Sequence, residues 1–180
     1  MNIVEPIRRK RDLRKIESLL RRKSRRDLLL FVMGINTGLR VSDILALNVK
    51  DVKNKEYIDI IERKTGKSKR FPINDRIKAM LKVYTSNKEM NQPLFQTVYK
   101  NRLERTNAYR IINRVCKKVG VEGHFGTHTL RKTFGYHHYN KYKDIALLQK
   151  IFNHYSPSVT LRYIGIDQEV INESYRRFIL

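Results

Sequence analysis

The chain has 180 residues, 41% of them hydrophobic, and its 39 Lys and Arg against 17 Asp and Glu give a formal net charge of +22. That length suits a single domain around one core, and the apolar fraction excludes a disordered polyelectrolyte. So strong a positive field selects polyanions, nucleic acid before membrane, because the longest apolar run, Leu28 to Ile35, is too short to span a bilayer. The single cysteine, Cys116, excludes an internal disulfide and a cysteine-rich metal site, and it reads as a small buried hydrophobe. The N-terminus has no apolar stretch followed by a cleavage site, so a cytoplasmic protein is expected.

In chain order, Arg11 to Leu20 carries Leu13, Ile16, Leu19 and Leu20 at steps of three and four, the pattern of an amphipathic helix. A second helix is capped by Ser24, has Leu28 to Met33 as its buried body, and is stopped by the glycines Gly34 and Gly38. A third short helix covers Arg40 to Leu47. From Tyr57 the texture changes: Tyr57 to Ile61 and Arg70 to Ile73 are β-prone runs joined by the basic turn Lys64-Thr65-Gly66-Lys67, which predicts a small antiparallel hairpin. Asn74 caps a helix with Ile77, Met80, Leu81 and Tyr84 on one face, and Thr106 to Val119 forms another, ended by Gly120. Helices are expected over Thr127 to Tyr139 and Asp144 to Phe152, and Ser156-Pro157 opens a short one that reaches Tyr163. A last amphipathic segment, Ile166 to Phe178, puts Val170, Ile171, Tyr175 and Phe178 on one stripe. The fold expected is therefore one domain over 1–180, mainly α with a small antiparallel β-sheet.

No single polar residue in these elements is diagnostic, but several stand in a recurring order. Thr37-Gly38-Leu39-Arg40 with Asp43, then Lys64, then His128-Thr129-Leu130-Arg131, then His154 and Tyr163, resembles in order and spacing the motif set of the tyrosine recombinases, the phage-integrase family. The resemblance covers about residues 7 to 180. It implies the fold of that family's catalytic domain and an enzyme that cleaves and rejoins DNA through a 3′-phosphotyrosyl intermediate, with no metal or other cofactor.

The chemistry explains why such residues are wanted. Cleaving a phosphodiester requires cationic donors for the pentacovalent transition state, an activated oxygen nucleophile, and a proton for the leaving oxygen. The resemblance implies that Arg40 and Arg131 clamp the phosphate, His154 adds a hydrogen bond, Tyr163 attacks, and His128 accepts the phenol proton. Lys64, eight positions before Pro72 as in the family, protonates the departing 5′ oxygen, with Lys67 its rival in the same turn. Asp43 orients Arg40 from one helical turn away. Tyr155 is the alternative nucleophile, and His137 and His138 fall at no motif position.

Asp43 replaces a more frequent glutamate, Asn153 a frequent glycine, and Tyr155 a small residue. The family's N-terminal core-binding domain is expected to be absent, through truncation or in a naturally short recombinase similar to the fimbrial inverters. Residues 166–180 are expected to be a tail exchanged between protomers. The partners expected are double-stranded DNA and further copies of the chain, a tetramer in the synaptic complex, with no membrane. A type IB topoisomerase and a decayed DNA-binding regulator are the alternatives.

Overall fold

A computed structural model describes residues 4–166, 172 and 175–179. Eight α-helices, a short 3₁₀ helix (Val49–Asp51) and one two-stranded sheet are found among these residues, the α-helices and strands in chain order being α1 (Lys10–Lys23), α2 (Arg25–Thr37), α3 (Val41–Ala46), β1 (Tyr57–Ile61), β2 (Ser68–Pro72), α4 (Asp75–Tyr84), α5 (Arg105–Lys118), α6 (Thr129–Tyr142), α7 (Ile145–Phe152) and α8 (Pro157–Ile164). The mainly α fold with one small antiparallel sheet is the one the sequence predicts.

Local chemistry sets most boundaries. The side chains of Ser24, Asn74 and Ser156 each accept a backbone N–H two or three positions into the helix they open, from Asp27, Ile77 and Val159. The expectation that Gly34 helps to stop α2 is corrected: the helix runs through it to Thr37 and ends at Gly38, which is left-handed at φ 65°. Gly34 is instead a contact with α6, since a Cβ there would run into the Leu130 side chain. Strand β2 begins at Ser68, two residues before the expected Arg70, because its register pairs Ser68 with Ile61 and Pro72 with Tyr57.

Two packed clusters position the site. The larger gathers Ile16, Leu29, Met33, Ile44, Ile58, Ile77, Ile112 and Leu130 from α1 to α6 and β1. The smaller gathers Leu148, Phe152, Ile164 and Ile166, with Phe134 and Tyr163 against it, so the α7–α8 pair has its own apolar seat on α6. The segment before α1 straps the two together: Thr133 Oγ1 accepts the Ile7 N–H at 2.9 Å, and Arg8 Nη2 donates to the Gly165 carbonyl at 2.9 Å, just beyond α8. Cys116 is buried as expected, and burial pushes its thiol up to about 12. Of the predicted tail stripe, Val170 and Ile171 lie outside the described residues, while Tyr175 and Phe178 are exposed.

Candidate active site

The structure brings Arg40, Lys64, His128, Arg131, His154 and Tyr163 to one place from four parts of the chain. Arg131, in the first turn of α6, is 2% exposed and holds the place together. Its Nη1 donates to the Gly38 carbonyl at 2.6 Å and its Nη2 to the Phe152 carbonyl at 2.7 Å, with the guanidinium 4.3 Å over the Phe152 ring. One side chain thus ties the end of α2, the start of α6 and the end of α7. Guanidinium suits this task because it offers five N–H donors, so two structural bonds leave others for an anion.

Arg40 precedes α3 and is fixed by carboxylates. Sequence reasoning assigns its orientation to Asp43, whose Oδ2 stands 4.0 Å from Arg40 Nη1. A closer acid, Glu62, lies 2.9 Å from the same nitrogen and is 1% exposed. Glu62 is a partner of Arg40 that sequence reasoning missed; its one sequence signal is an acid opening an otherwise basic turn. Burial alone would raise its carboxyl, but the hydrogen bond from Thr65 and the charges of Arg40 and Arg131 hold it below the usual carboxylate range. Asp43 still contributes, since its Oδ1 accepts the Arg63 N–H at 3.1 Å and so pins the hairpin turn to α3.

That turn carries Lys64, exposed, in a loop closed by the Gly66 N–H on the Glu62 carbonyl at 2.8 Å and the Glu62 N–H on the Lys67 carbonyl at 2.9 Å. The hairpin leans on the end of α7: Lys69 Nζ donates to the Ile151 carbonyl at 2.7 Å and Lys67 Nζ to Asn153 Oδ1 at 3.3 Å. Cations are favoured at a helix C-terminus, where the last carbonyls lack partners. Lys67, the rival of Lys64, is therefore engaged with Asn153, while the charge of Lys64 is felt at both His128 and His154.

Tyr163 sits in the last turn of α8, with its hydroxyl 3.1 Å from His128 Nδ1. Burial raises its phenol, and the charges of Arg131 and Arg40 oppose this, leaving it above its ordinary value. His128 is held below the usual imidazole range, first by partial burial and then by Arg131, Lys132, Arg40 and Lys64. It is therefore neutral near pH 7 and free to accept the phenol proton. His154 is pushed down to about 4 by burial and by Arg131, Arg40 and Lys64. Its Nδ1 lies 3.1 Å from Thr160 Oγ1, and that hydroxyl donates to the Ser156 carbonyl at 3.2 Å. The hydroxyl proton being committed, His154 Nδ1 carries the hydrogen and Nε2 is bare in the neutral ring.

The competing residues are placed elsewhere or occupied. Tyr155 is 87% exposed. His137 Nε2 lies 2.9 Å from the Ile7 carbonyl, and His138 packs against the rings of Phe134 and Tyr142. Among the described residues no group of three or more His, Cys, Asp or Glu could hold a metal ion, and no helix is long and apolar enough to cross a membrane. A groove of about 500 Å³ between α1, α2 and α4 carries none of these groups. What the arrangement offers is a surface of fixed cations around a phenol with a neutral imidazole on its oxygen, suited to an anionic ester of large size.

Comparison with known proteins agrees with this chemistry. The model of the phage integrase family matches residues 9–169. The chain is 45% identical over 179 residues to "Probable integrase/recombinase YoeC" of Bacillus subtilis (strain 168), covering 99% of this chain and 98% of that protein. It is 28% identical over 160 residues to tyrosine recombinase XerC of Thermodesulfovibrio yellowstonii, covering 83% of this chain but 53% of that one. It therefore spans nearly the whole of the first relative and about half of the second. Among solved structures, XerA recombinase superposes with a TM-score of 0.77 at 21% identity, over 98% of this chain and 65% of that one. The catalytic domain of bacteriophage HP1 integrase does so with a TM-score of 0.67 at 22% identity, over 97% and 95%. These two likenesses show the fold.

Proposed function

The chain belongs to the phage integrase family and is a tyrosine recombinase, an enzyme that cleaves and rejoins DNA strands in site-specific recombination, and on that premise we propose that Tyr163 is its nucleophile. One observation carries this reading: the Tyr163 hydroxyl rests 3.1 Å from His128 Nδ1 within a cluster of cations. His128 accepts the phenol proton as the oxygen attacks phosphorus, while Arg40 and Arg131 stabilise the charge of the transition state. Lys64 protonates the departing 5′ oxygen, and the 3′ end stays esterified to Tyr163. Attack by a 5′ hydroxyl of another strand reverses these steps, so one phosphoester replaces another and no cofactor is needed.

The partners are DNA and other copies of the chain. The finer reading is a tetramer in the synaptic complex, joined by the tail over residues 166–180, a single catalytic domain preceding it. The exposed Tyr175 and Phe178 support the tail's role, since apolar side chains of that size gain from burial against a neighbour. A cytoplasmic enzyme is the matching location, because its DNA substrate lies there. The two relatives described above carry integrase or recombinase names, which favours recombination over topoisomerase-like relaxation and over a decayed regulator.

The test uses a nicked duplex bearing a site selected from random sequence by binding to the purified chain. The nick lets the cleaved fragment diffuse away and traps the covalent adduct. Tyr163→Phe should bind the duplex as the unaltered chain does and form no adduct on a denaturing gel, whereas Tyr155→Phe should form it normally. Adduct in Tyr163→Phe would reassign the nucleophile.

A further inference from the structure

Lys132 follows Arg131 on α6 and is 9% exposed. A cation so nearly buried is costly unless something replaces its hydration. Among the described residues no carboxylate makes a salt bridge to Lys132, and the charge of Glu5 on the N-terminal strap is the one acid felt there. What the ammonium meets is the nucleophile itself, with Nζ 5.2 Å from the centroid of the Tyr163 ring.

The remaining surroundings of that ring are complete. His154 and Phe152 meet it edge-on at centroid distances of 5.1 and 5.6 Å, and His128 at 6.2 Å. The charged and titratable groups facing Tyr163 are His128, Arg131 and Lys132 from α6, Arg40 from the start of α3, and His154 from the turn before α8. The hydroxyl has His128, with the charge of Arg131 felt there. The ring has Lys132, which no step of the proposed transesterification uses.

We propose that Lys132 is a positioning residue for strand cleavage: its ammonium holds the Tyr163 ring in attacking orientation and stabilises it electrostatically as the phenol gives up its proton. This rests on Tyr163 being the nucleophile. A cation near an aromatic ring is attracted by the ring's quadrupole while the phenol is neutral. As His128 takes the proton, part of the oxygen's negative charge spreads into the ring, so the same contact strengthens on the way to attack. An interaction stronger in the transition state than in the ground state accelerates the step. Lys132 itself neither gains nor loses a proton; the proton passes from the Tyr163 oxygen to His128 Nδ1, and the oxygen–phosphorus bond forms.

The experiment follows adduct formation on the nicked selected site, in single turnover from pH 5.5 to 9.5, for the full chain and for Lys132→Met, Lys132→Arg and Tyr163→Phe. Lys132→Met keeps the length of the side chain and removes its charge. It should slow adduct formation about tenfold at neutral pH, with duplex affinity nearly unchanged. Lys132→Arg should stay within about threefold of the unaltered chain, because the charge remains. A profile in Lys132→Met that superposes on the unaltered one overturns the proposal, as does an equal loss in Lys132→Arg, which marks a structural role. If Lys132→Met fails to fold, 3-fluorotyrosine at position 163 reports the phenol directly by fluorine NMR. Its titration midpoint should rise in Lys132→Gln, and an unmoved midpoint would equally end the idea. Adduct in Tyr163→Phe would instead sink the nucleophile assignment, so the two failures are separable.

Discussion

Glu62, which follows the last residue of β1, places its carboxylate 2.9 Å from the guanidinium of Arg40 at the start of α3. The ion pair is nearly out of water on the acid's side, where removing one partner leaves an uncompensated buried charge. Glu62→Gln should therefore lower stability by about 2 kcal/mol and slow cleavage more than Asp43→Asn does, because Asp43 stands farther from Arg40. The pH dependence has a definite sign. The folded carboxyl lies below its unfolded value, so its contribution is present above the ordinary Glu range and is lost as pH falls through the folded value. Thermal melts of the two proteins should converge on acidification from about pH 5, near the ordinary Glu range.

His154 gives a second pH prediction, coupled to DNA. In the free protein its ring stays neutral down to about 4 and its Nε2 has no hydrogen to offer a phosphate. The charges of Arg131, Arg40 and Lys64 help to hold it there, and a bound phosphate neutralises part of that field. Binding should thus raise His154 toward its ordinary value and draw in a proton, which equips Nε2 to donate to the phosphate oxygen. Nitrogen-15 NMR of labelled histidine, with and without a duplex near pH 6, checks this; an unchanged neutral ring in the complex would contradict it. In the free protein the sign is the reverse of the carboxylate case in origin but not in direction. A histidine depressed on folding supports stability above its unfolded value, and that support is lost as pH falls from there toward about 4.

These two residues also divide what was legible in the sequence from what was not. Helix starts at Ser24, Asn74 and Ser156 could be read because a cap bonds its own next turn, so the signal is local. His128, Arg131, His154 and Tyr163 could be picked out because their spacing repeats a family's. Glu62 could not, because its role depends on the hairpin folding back onto α3, and nothing near it in sequence marks that contact. Gly34 was misjudged for a related reason: a glycine marks a helix end and a close helix crossing alike, and the neighbour that decides between them, Leu130, comes from a distant helix. Lys132 carries no mark of its own in a chain of 39 Lys and Arg, and the contact that sets it apart is tertiary.

On the proposed roles, the hairpin turn allows catalysis to be separated from binding. Lys64 is exposed and its charge reaches both site histidines, whereas Lys67 is hydrogen-bonded to Asn153. Lys64→Ala should reduce adduct formation about 10² to 10⁴-fold, the usual weight of a positioned general acid, with duplex affinity nearly kept. Lys67→Ala should change cleavage only a few-fold. A substrate with a 5′-bridging sulfur, whose leaving group needs no proton, should restore Lys64→Ala and leave His128→Ala impaired. If Lys64→Ala instead loses cleavage and binding equally, its role is a phosphate contact.

The tail prediction depends on which described residues hold Tyr163. Ile164 and Ile166 are both buried in the cluster that seats α8, Ile166 at 3% exposure, so a chain ending at Ile166 keeps every described contact that holds Tyr163. Tyr175 and Phe178, at 83% and 71% exposed, add nothing to that cluster. Deleting residues 167–180 should therefore leave the melting temperature within a few degrees. If the tail serves a neighbouring protomer, the shortened protein should still bind a single site, while assembly of several copies on paired sites and complete strand exchange should fail. Analytical ultracentrifugation on duplexes with one and two sites separates the two stages, and a recombination assay reads the outcome. Unfolding on truncation would assign the segment to the protein's own core, and undiminished strand exchange would deny it a part in assembly.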